Sequence, residues 1–477
     1  MDSPMAKKRT EPEAEDRLSA LTDDVLLSIL RKVDISTAAR TSSLSTRWRQ
    51  LPWLLPELNI DVRCFLPAPR SDPIEANDML EAMVALTKAT RSLLSKPRRG
   101  STTTRLDLVI YLINTFLSDL GPLVGDAVDC GSLKDLDLTI HDETDPLERN
   151  EEYMLQRAQD INGFFTAYPS VLHCLTKLSL YNVCFSELDI NCVLFDSCRV
   201  LKHLNLIYCD SGRHNLCKID APNSKLSVLE IHLCRFERLE LVCLPNLEKL
   251  KLYNWVSEYT PLSFGYVPSL GELILSSTLT LKDGVFKLSE VLHGTTSIHT
   301  LTLDFDGENL WMQPEMKQLC TAFNKLRKLS VCGIFVEFDI VWAIAFLEAA
   351  PSVEVLHIEV WGHDTCGGDD NYDRWLIFAD RKNPEWEMDS HSSKNWLLKE
   401  LQIVGFRPLE QQFTFIRALL ERAPNLQTIV LKGDMECEWD CVALTRESLF
   451  PKTEDEQEMV VRRITDGKPS PRVIFHE

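Results

Sequence analysis

The chain has no CxxC pair, no GxGxxG or GxxxxGK[ST] loop, no GxSxG elbow and no HExxH helix. These absences remove the sequence-readable forms of a zinc ribbon, a nucleotide cradle, a serine hydrolase and a zinc protease. Positive charge is also short: 51 Lys and Arg stand against 71 Asp and Glu, a net charge of −20. The compact basic tract Lys7-Lys8-Arg9 is too short to track a phosphate backbone, so nucleic acid is not an expected partner. Apolar runs such as Val341–Leu347 fall far below the ~18 residues of a membrane span. The opening MDSPMAKKRTEPEAEDR lacks the apolar stretch of a secretory signal. The 15 cysteines are then expected to be reduced and mostly buried, in cytosol or nucleus.

A repeat is what the sequence has in quantity. LTKLSL (175–180), LKHLNL (201–206), LSVLEI (226–231), LEKLKL (247–252), LGELIL (270–275), IHTLTL (298–303), LRKLSV (326–331), VEVLHI (353–358), LKELQI (398–403) and LQTIVL (426–431) share the form LxxLxL, and LKDLDL (133–138) precedes them. From Leu178 through Leu204, Leu229, Leu250, Leu273, Leu301, Leu329, Leu356 and Leu401 to Ile429, the steps are 26, 25, 21, 23, 28, 28, 27, 45 and 28 residues. All but one lie in or near the roughly 20–29-residue window of leucine-rich repeats. The alternation sends Leu178 and Leu180 inward and Ser179 outward, as a short strand demands. One such strand cannot bury its leucines, so neighbours are expected to stack into a curved parallel sheet over a continuous core. The fold class is α/β: an irregular leucine-rich-repeat solenoid, with helix or coil as the second wall of each unit.

Punctuation sets the boundaries. FLEAAPSVEVLHI (346–358) and LLERAPNLQTIVL (419–431) each read as an apolar helix ended by Ala-Pro, because proline disfavours helix at the residue before it. The 45-residue step contains the Gly-, Asp- and Asn-rich stretch 362–395, which reads as an inserted loop. The solenoid is placed over 131–432. Ahead of it, 54–130 is a linker with first irregular units, including a helix at Ala76–Leu94 and a strand in TTRLDLVI. Residues 1–15 read as a solvated tail.

Between tail and linker stands LSALTDDVLLSILRKV (18–33). Leu18, Leu21, Val25 and Ile29 recur at helical spacing, with Leu26, Leu30 and Val33 as a second stripe. A short turn at Ser36–Arg40 and a third helix at Leu44–Leu51, bearing Arg47-Trp48-Arg49, are expected to follow. Three helices in about 35 residues bury too little to stand alone. Their surplus apolar surface suits docking on another protein.

DRLSALTDDVLLSILRKVDISTAARTSSLSTRWRQL resembles an F-box, here spanning 16–53, and an F-box followed by leucine-rich repeats resembles plant substrate receptors of SCF-type ubiquitin ligases. Leu18, Leu21, Asp24, Val25, Ile29, Leu30, Arg40, Leu44, Arg47, Trp48 and Arg49 fall on motif positions. The family usually has proline at Thr22, whose hydroxyl can cap the helix instead, and valine at Ser43. WLLKELQIVGFRPLEQQFTFIRALLERAPNLQTIVL and the residues after it, 393–477, are similar to the FBD region of such proteins. The resemblance implies a non-catalytic subunit. Its F-box binds a Skp-type adaptor, through it a cullin and a RING protein, and its repeats hold a protein substrate. Leu18, Leu21, Val25, Leu26, Ile29, Leu30, Leu44 and Trp48 are the expected adaptor contacts. The competing reading is a non-ligase interaction scaffold with a degenerate F-box.

The outward strand positions would line the concave sheet where a substrate sits. His203, Asn205, Glu230, Lys249 and Lys251 form the densest polar group there and are the candidate substrate contacts. No cofactor is expected, since the outward rows hold no arginine to converge on an inositol phosphate. No metal is expected either. Cys209, His214 and Cys217, and Cys437 with Cys441, match no zinc spacing, and Asp304–Glu308 places its glycine wrongly for a calcium loop. Cys209 and Cys234 instead occupy the repeat position where Asn or Cys bonds neighbouring turns.

Overall fold

The computed structural model describes residues 21–33, 35–41, 43–68, 74–94, 103–144, 149–186, 190–212, 216–255, 260–277, 286–305, 312–313, 316–335, 339–361, 396–433, 449–465 and 471–476. The 1–15 tail, Leu18, His214, Cys437, Cys441 and the 362–395 insertion lie outside them. No helix among the described residues is long and apolar enough to cross a membrane. The cysteines described are free thiols. The chain divides into two compact units, 1–139 with 167–174, and 140–166 with 175–477.

The first unit opens with α1 (Asp23–Leu30) and α2 (Ile35–Thr41). Asp23 and Asp24 occupy the first turn of α1, where carboxylates suit the positive end of the helix. The Thr22 hydroxyl does not cap it, contrary to expectation. Arg47 secures that end, donating from Nε to Asp23 Oδ1 at 2.7 Å and from Nη2 to the Leu21 carbonyl at 2.6 Å. A third helix over Leu44–Leu51 does not form: 43–50 runs through turns, and a short 3-10 turn covers Leu51–Leu54. Ser45 Oγ accepts the Trp48 N–H at 3.3 Å, as an N-cap does, and the Arg49 N–H reaches the Ser45 carbonyl at 3.1 Å, but Pro52 has no N–H with which to continue the helical series. Next come β1 (Glu57–Asp61), α3 (Ala76–Leu94), β2 (Arg105–Tyr111), α4 (Asn114–Asp129) and β3 (Asp135–His141). β1 and β2 pair in parallel, with Ile60 opposite Leu108. α3 spans the residues its periodicity predicts and buries Ala82, Met83 and Leu86.

The second unit is the repeat. Its strands are β4 (Leu175–Tyr181), β5 (His203–Ile207), β6 (Leu216–Asp220), β7 (Val228–His232), β8 (Arg238–Cys243), β9 (Lys249–Tyr253), β10 (Leu262–Tyr266) and β11 (Glu272–Ser276). They continue as β12 (Thr300–Asp304), β13 (Lys328–Phe335), β14 (Val355–Trp361), β15 (Glu400–Val404), β16 (Thr428–Lys432) and β17 (Arg472–His476). The main sheet runs β4-β5-β7-β9-β11-β12-β13-β14-β15-β16-β17. Its pairing is parallel, and the middle residues of the motifs, Leu178 through Ile429, stand in one row. Every residue of that row is fully buried.

The second wall differs from the expected helix or coil in two places: Phe286–Lys287 pairs in parallel with Met312–Gln313, and a larger strand wall precedes it. β6, β8 and β10 form a three-stranded parallel sheet of their own. It occurs where the steps between motifs shorten to 25, 21 and 23 residues. A five-residue strand spans about 16 Å, a distance for which a helix needs about 11 residues, so short units close only with extended chain. Longer units carry helices: α6 (Ile344–Ala349) before β14 and α7 (Glu410–Leu420) before β16, after α5 (Glu151–Ala167) at the start of the unit. Ala350 leaves helical geometry just before Pro351, as the Ala-Pro punctuation requires. The closing segment, with α8 (Glu454–Thr465), continues the same sheet through β17; Arg463 of α8 lies over the Phe413 ring of α7 at 4.1 Å.

The strand exits repeat too. Asn182, Tyr208, Leu233 and Asn254 take positive φ two residues after the last inward residue of their strands. The next positions, Val183, Cys209, Cys234 and Trp255, are buried. Cys209 Sγ donates to the Leu180 carbonyl at 3.6 Å, Cys234 Sγ to the Leu206 carbonyl at 3.3 Å, and Cys234 Sγ accepts the Cys209 N–H at 3.3 Å. The thiols thus bond neighbouring turns, as the repeat pattern implied. Leu233 is 39% exposed at φ 50°, a conformation that costs an ordinary side chain roughly 1–2 kcal/mol. Leu233→Asn should therefore slow amide exchange around β7, a local gain of roughly 0.5–1 kcal/mol. Unchanged or faster exchange would contradict this.

Candidate partner-binding surfaces

The opening helix carries two apolar stripes about 100° apart. Leu26 and Leu30, one turn apart, are buried within the first unit, together with Ile35, Ala38 and Trp48. Val25 and Ile29 form the neighbouring stripe and are 44% and 39% exposed; Val33 and Leu44 are exposed as well, at 38% and 63%. Leu21 is half-buried. Of the expected adaptor contacts, Leu26, Leu30 and Trp48 are thus buried within the chain itself. Val25, Ile29 and Leu44 present apolar surface outward. Ser43, where the resembled family has valine, satisfies its hydroxyl locally by donating to the Arg40 carbonyl at 2.8 Å.

The second surface is the outward face of β5, β7 and β9. Register places Asn205, Glu230 and Lys251 in one row and His203, Val228 and Lys249 in the next. Glu230 is the hub. Lys251 Nζ lies 2.7 Å from its carboxylate, and the Nε2 atoms of His203 and His232 approach at 3.5 and 3.7 Å. Those last two distances are within ion-pair range but too long for a good hydrogen bond. His203 and His232, with Lys251 adding to them, hold the Glu230 carboxyl far below the usual carboxylate range, against the opposing effect of burial. His232 also stacks on Tyr253, ring centroids 4.5 Å apart. Burial in turn raises the Tyr253 hydroxyl above its ordinary value, with Glu230 next in effect.

Of the five predicted substrate contacts, the structure gathers His203, Glu230 and Lys251 and sets Asn205 beside them. Asn205 Oδ1 is buried with no hydrogen-bond partner among the described residues. Lys249 turns the other way and pairs with Glu272 at 2.6 Å. His232 was missed by the sequence reading. It is the third outward residue of its strand, one alternation beyond Glu230.

Because the folded-state pKa of Glu230 is depressed, its contribution to stability is present above the unfolded value, ordinarily 4.5, and is lost as pH falls below it. The stability gap between wild type and Glu230→Gln, read by denaturant unfolding, should be steady near neutral pH and narrow below about pH 4.5. A gap that widens with acid would contradict the hub.

Comparison with known proteins adds the family. The model of the At1g61320/AtMIF1 LRR domain matches residues 165–462, more than half of the chain, and that of the F-box domain matches 18–52. The F-box/FBD/LRR-repeat protein At2g04230 of Arabidopsis thaliana is 46% identical over 55 residues, 12% of this chain and 12% of that protein. The chain thus aligns with only a small part of that relative's length. Among solved structures, a chain of the yeast Rad7 and Elc1 complex is 14% identical, over 71% of this chain and 86% of that one, with a TM-score of 0.29. The leucine-rich repeat-containing protein LegL7 of Legionella pneumophila is 11% identical, over 87% of this chain and 99% of its own, with a TM-score of 0.31.

Proposed function

Since this chain belongs to the plant F-box/leucine-rich-repeat proteins, with a repeat domain of the At1g61320/AtMIF1 type, we propose that it is the substrate-recognition subunit of an SCF-type ubiquitin ligase. The F-box docks on a Skp-type adaptor, and through it on a cullin and a RING protein. The outward face of the repeat sheet holds the protein to be ubiquitinated. The observation that carries this reading is the split of α1 into a packed stripe, Leu26 and Leu30, and an open one, Val25 and Ile29. An isolated unit gains nothing from holding leucine-sized side chains in water, whereas burial against a partner stabilises each by about 1.5–3 kcal/mol.

The chain's contribution to the chemistry is position. Holding a substrate lysine near a charged conjugating enzyme turns a bimolecular encounter into an effectively unimolecular step, and this needs no catalytic side chain here. The Glu230, His203, His232 and Lys251 cluster offers charges of both signs on one patch, which suits a protein partner that presents both. Free thiols, many of them buried, support work in a reducing compartment, cytosol or nucleus. The test is co-purification of the full chain with a Skp-type adaptor. Affinity no better than that of a chain with residues 16–51 scrambled would leave only a repeat scaffold.

A further inference from the structure

We propose that Cys332, His357 and Glu359 form a zinc(II) site on the outward face of β13 and β14. One ligand atom from each lies within 4.8 Å of the other two. The backbone is locally built to bring them together. Val331 stands opposite Ile358 and Ile334 opposite Val360, so Cys332 and Gly333 together face the single residue Glu359. This is a β-bulge, and Gly333 sits in it at φ 67°. Such bulges re-aim a side chain that regular pairing would set elsewhere.

The surrounding hydrogen bonds orient the ligands. The Gln402 amide nitrogen donates to the Glu400 carboxylate, so its Oε1 is the atom that faces His357 Nδ1, at 3.3 Å. The His357 proton therefore belongs on Nδ1, which leaves Nε2 as the lone-pair nitrogen. A ring nitrogen that donates to a carbonyl while the other binds metal is the usual outer-sphere arrangement for a ligating histidine. The Trp361 indole N–H donates to Glu359 Oε1 at 2.6 Å and the Cys332 thiol donates to the same carboxylate, which fixes it beside Cys332. Asp304, opposite Cys332 in register, adds a second carboxylate charge and offsets the nearby Lys328.

Thiolate, imidazole and carboxylate together select zinc among common divalent ions, and three protein ligands leave a fourth position for water. Metal–ligand bonds of about 2.0–2.3 Å imply ligand separations of roughly 3.3–3.7 Å, so with all three atoms within 4.8 Å of one another binding needs at most a side-chain adjustment of about 1 Å. Cys332 gives up its proton to solvent as the Zn–S bond forms. The ion would tie β13 to β14 across the bulge, independently of the adaptor surface. Sequence spacing hides the site, because Cys332 and the His357/Glu359 pair belong to successive repeats and match no local motif.

The test uses the metal-free full chain, titrated with Zn²⁺ against a chromophoric chelator and with Co²⁺ as a spectroscopic probe. One equivalent of zinc should bind, raise the melting temperature and release a proton, and Co²⁺ should give a thiolate charge-transfer band. Cys332→Ser should abolish that band and weaken zinc binding by about 100-fold or more; His357→Gln should weaken it by about 10-fold or more. Cys320→Ser, at an exposed thiol, should change neither. Should Cys332→Ser fail to fold, His357→Gln and Glu359→Gln alter half-buried side chains and decide the matter. Absence of a stoichiometric site in wild type, or binding that survives both His357→Gln and Glu359→Gln unchanged, would overturn the proposal.

Discussion

Val25→Asp combined with Ile29→Asp should lower affinity for a Skp-type adaptor by about 10²–10⁴-fold and leave thermal unfolding of the chain nearly unchanged. The size follows from burial: two side chains at about 1.5–3 kcal/mol each make roughly 3–6 kcal/mol, and 1.4 kcal/mol is tenfold. The second half of the prediction follows from exposure, since both residues already face water. The paired control is Leu26→Asp, one position along the same helix. Its side chain is fully buried, so it should unfold the first unit and lose adaptor binding only by that route. Helical wheels alone cannot separate these variants; the structure does. Adaptor binding that is unaffected by the double change would remove the ligase reading.

Leu250→Asp should have the largest effect on the repeat. Leu250 stands fully buried between Leu229 and Leu273 in the central row. Truncating such a leucine costs about 2–5 kcal/mol, and an unpaired buried carboxylate adds several more. Each repeat buries its leucines only against its neighbours, so the damage should travel. Amide protection should fall across β7, β9 and β11 together, while β15 and β16 keep theirs. Loss confined to β9 would mean that the repeats do not share a core.

Most of the repeat could be read in advance, because its signal is local. Strand alternation needs only the next two residues, and Leu178 through Ile429 all point where the pattern put them. Helix α3 was equally plain from its periodicity. What escaped depends on the third dimension. Nothing in LSALTDDVLLSILRKV says which of two adjacent stripes turns inward; the structure buries Leu26 and Leu30 and leaves Val25 and Ile29 exposed. The third helix stops short because Pro52 lacks the N–H that would continue it past Leu51. The strand wall of β6, β8 and β10 was legible only in the step lengths. In the Glu230 cluster, partner choice was set by cross-strand register, which paired Lys251 with Glu230 and sent Lys249 to Glu272.

β17 pairs along β16, with Val473 opposite Ile429 and Phe475 opposite Leu431, and stands last in the sheet. A deletion series trimmed to residue 465, a natural way to map substrate contacts, would strip this final strand and leave the β16 ladder with a bare row of backbone donors and acceptors. Such truncations should self-associate, and any loss of substrate capture in them would report clumping before it reported recognition.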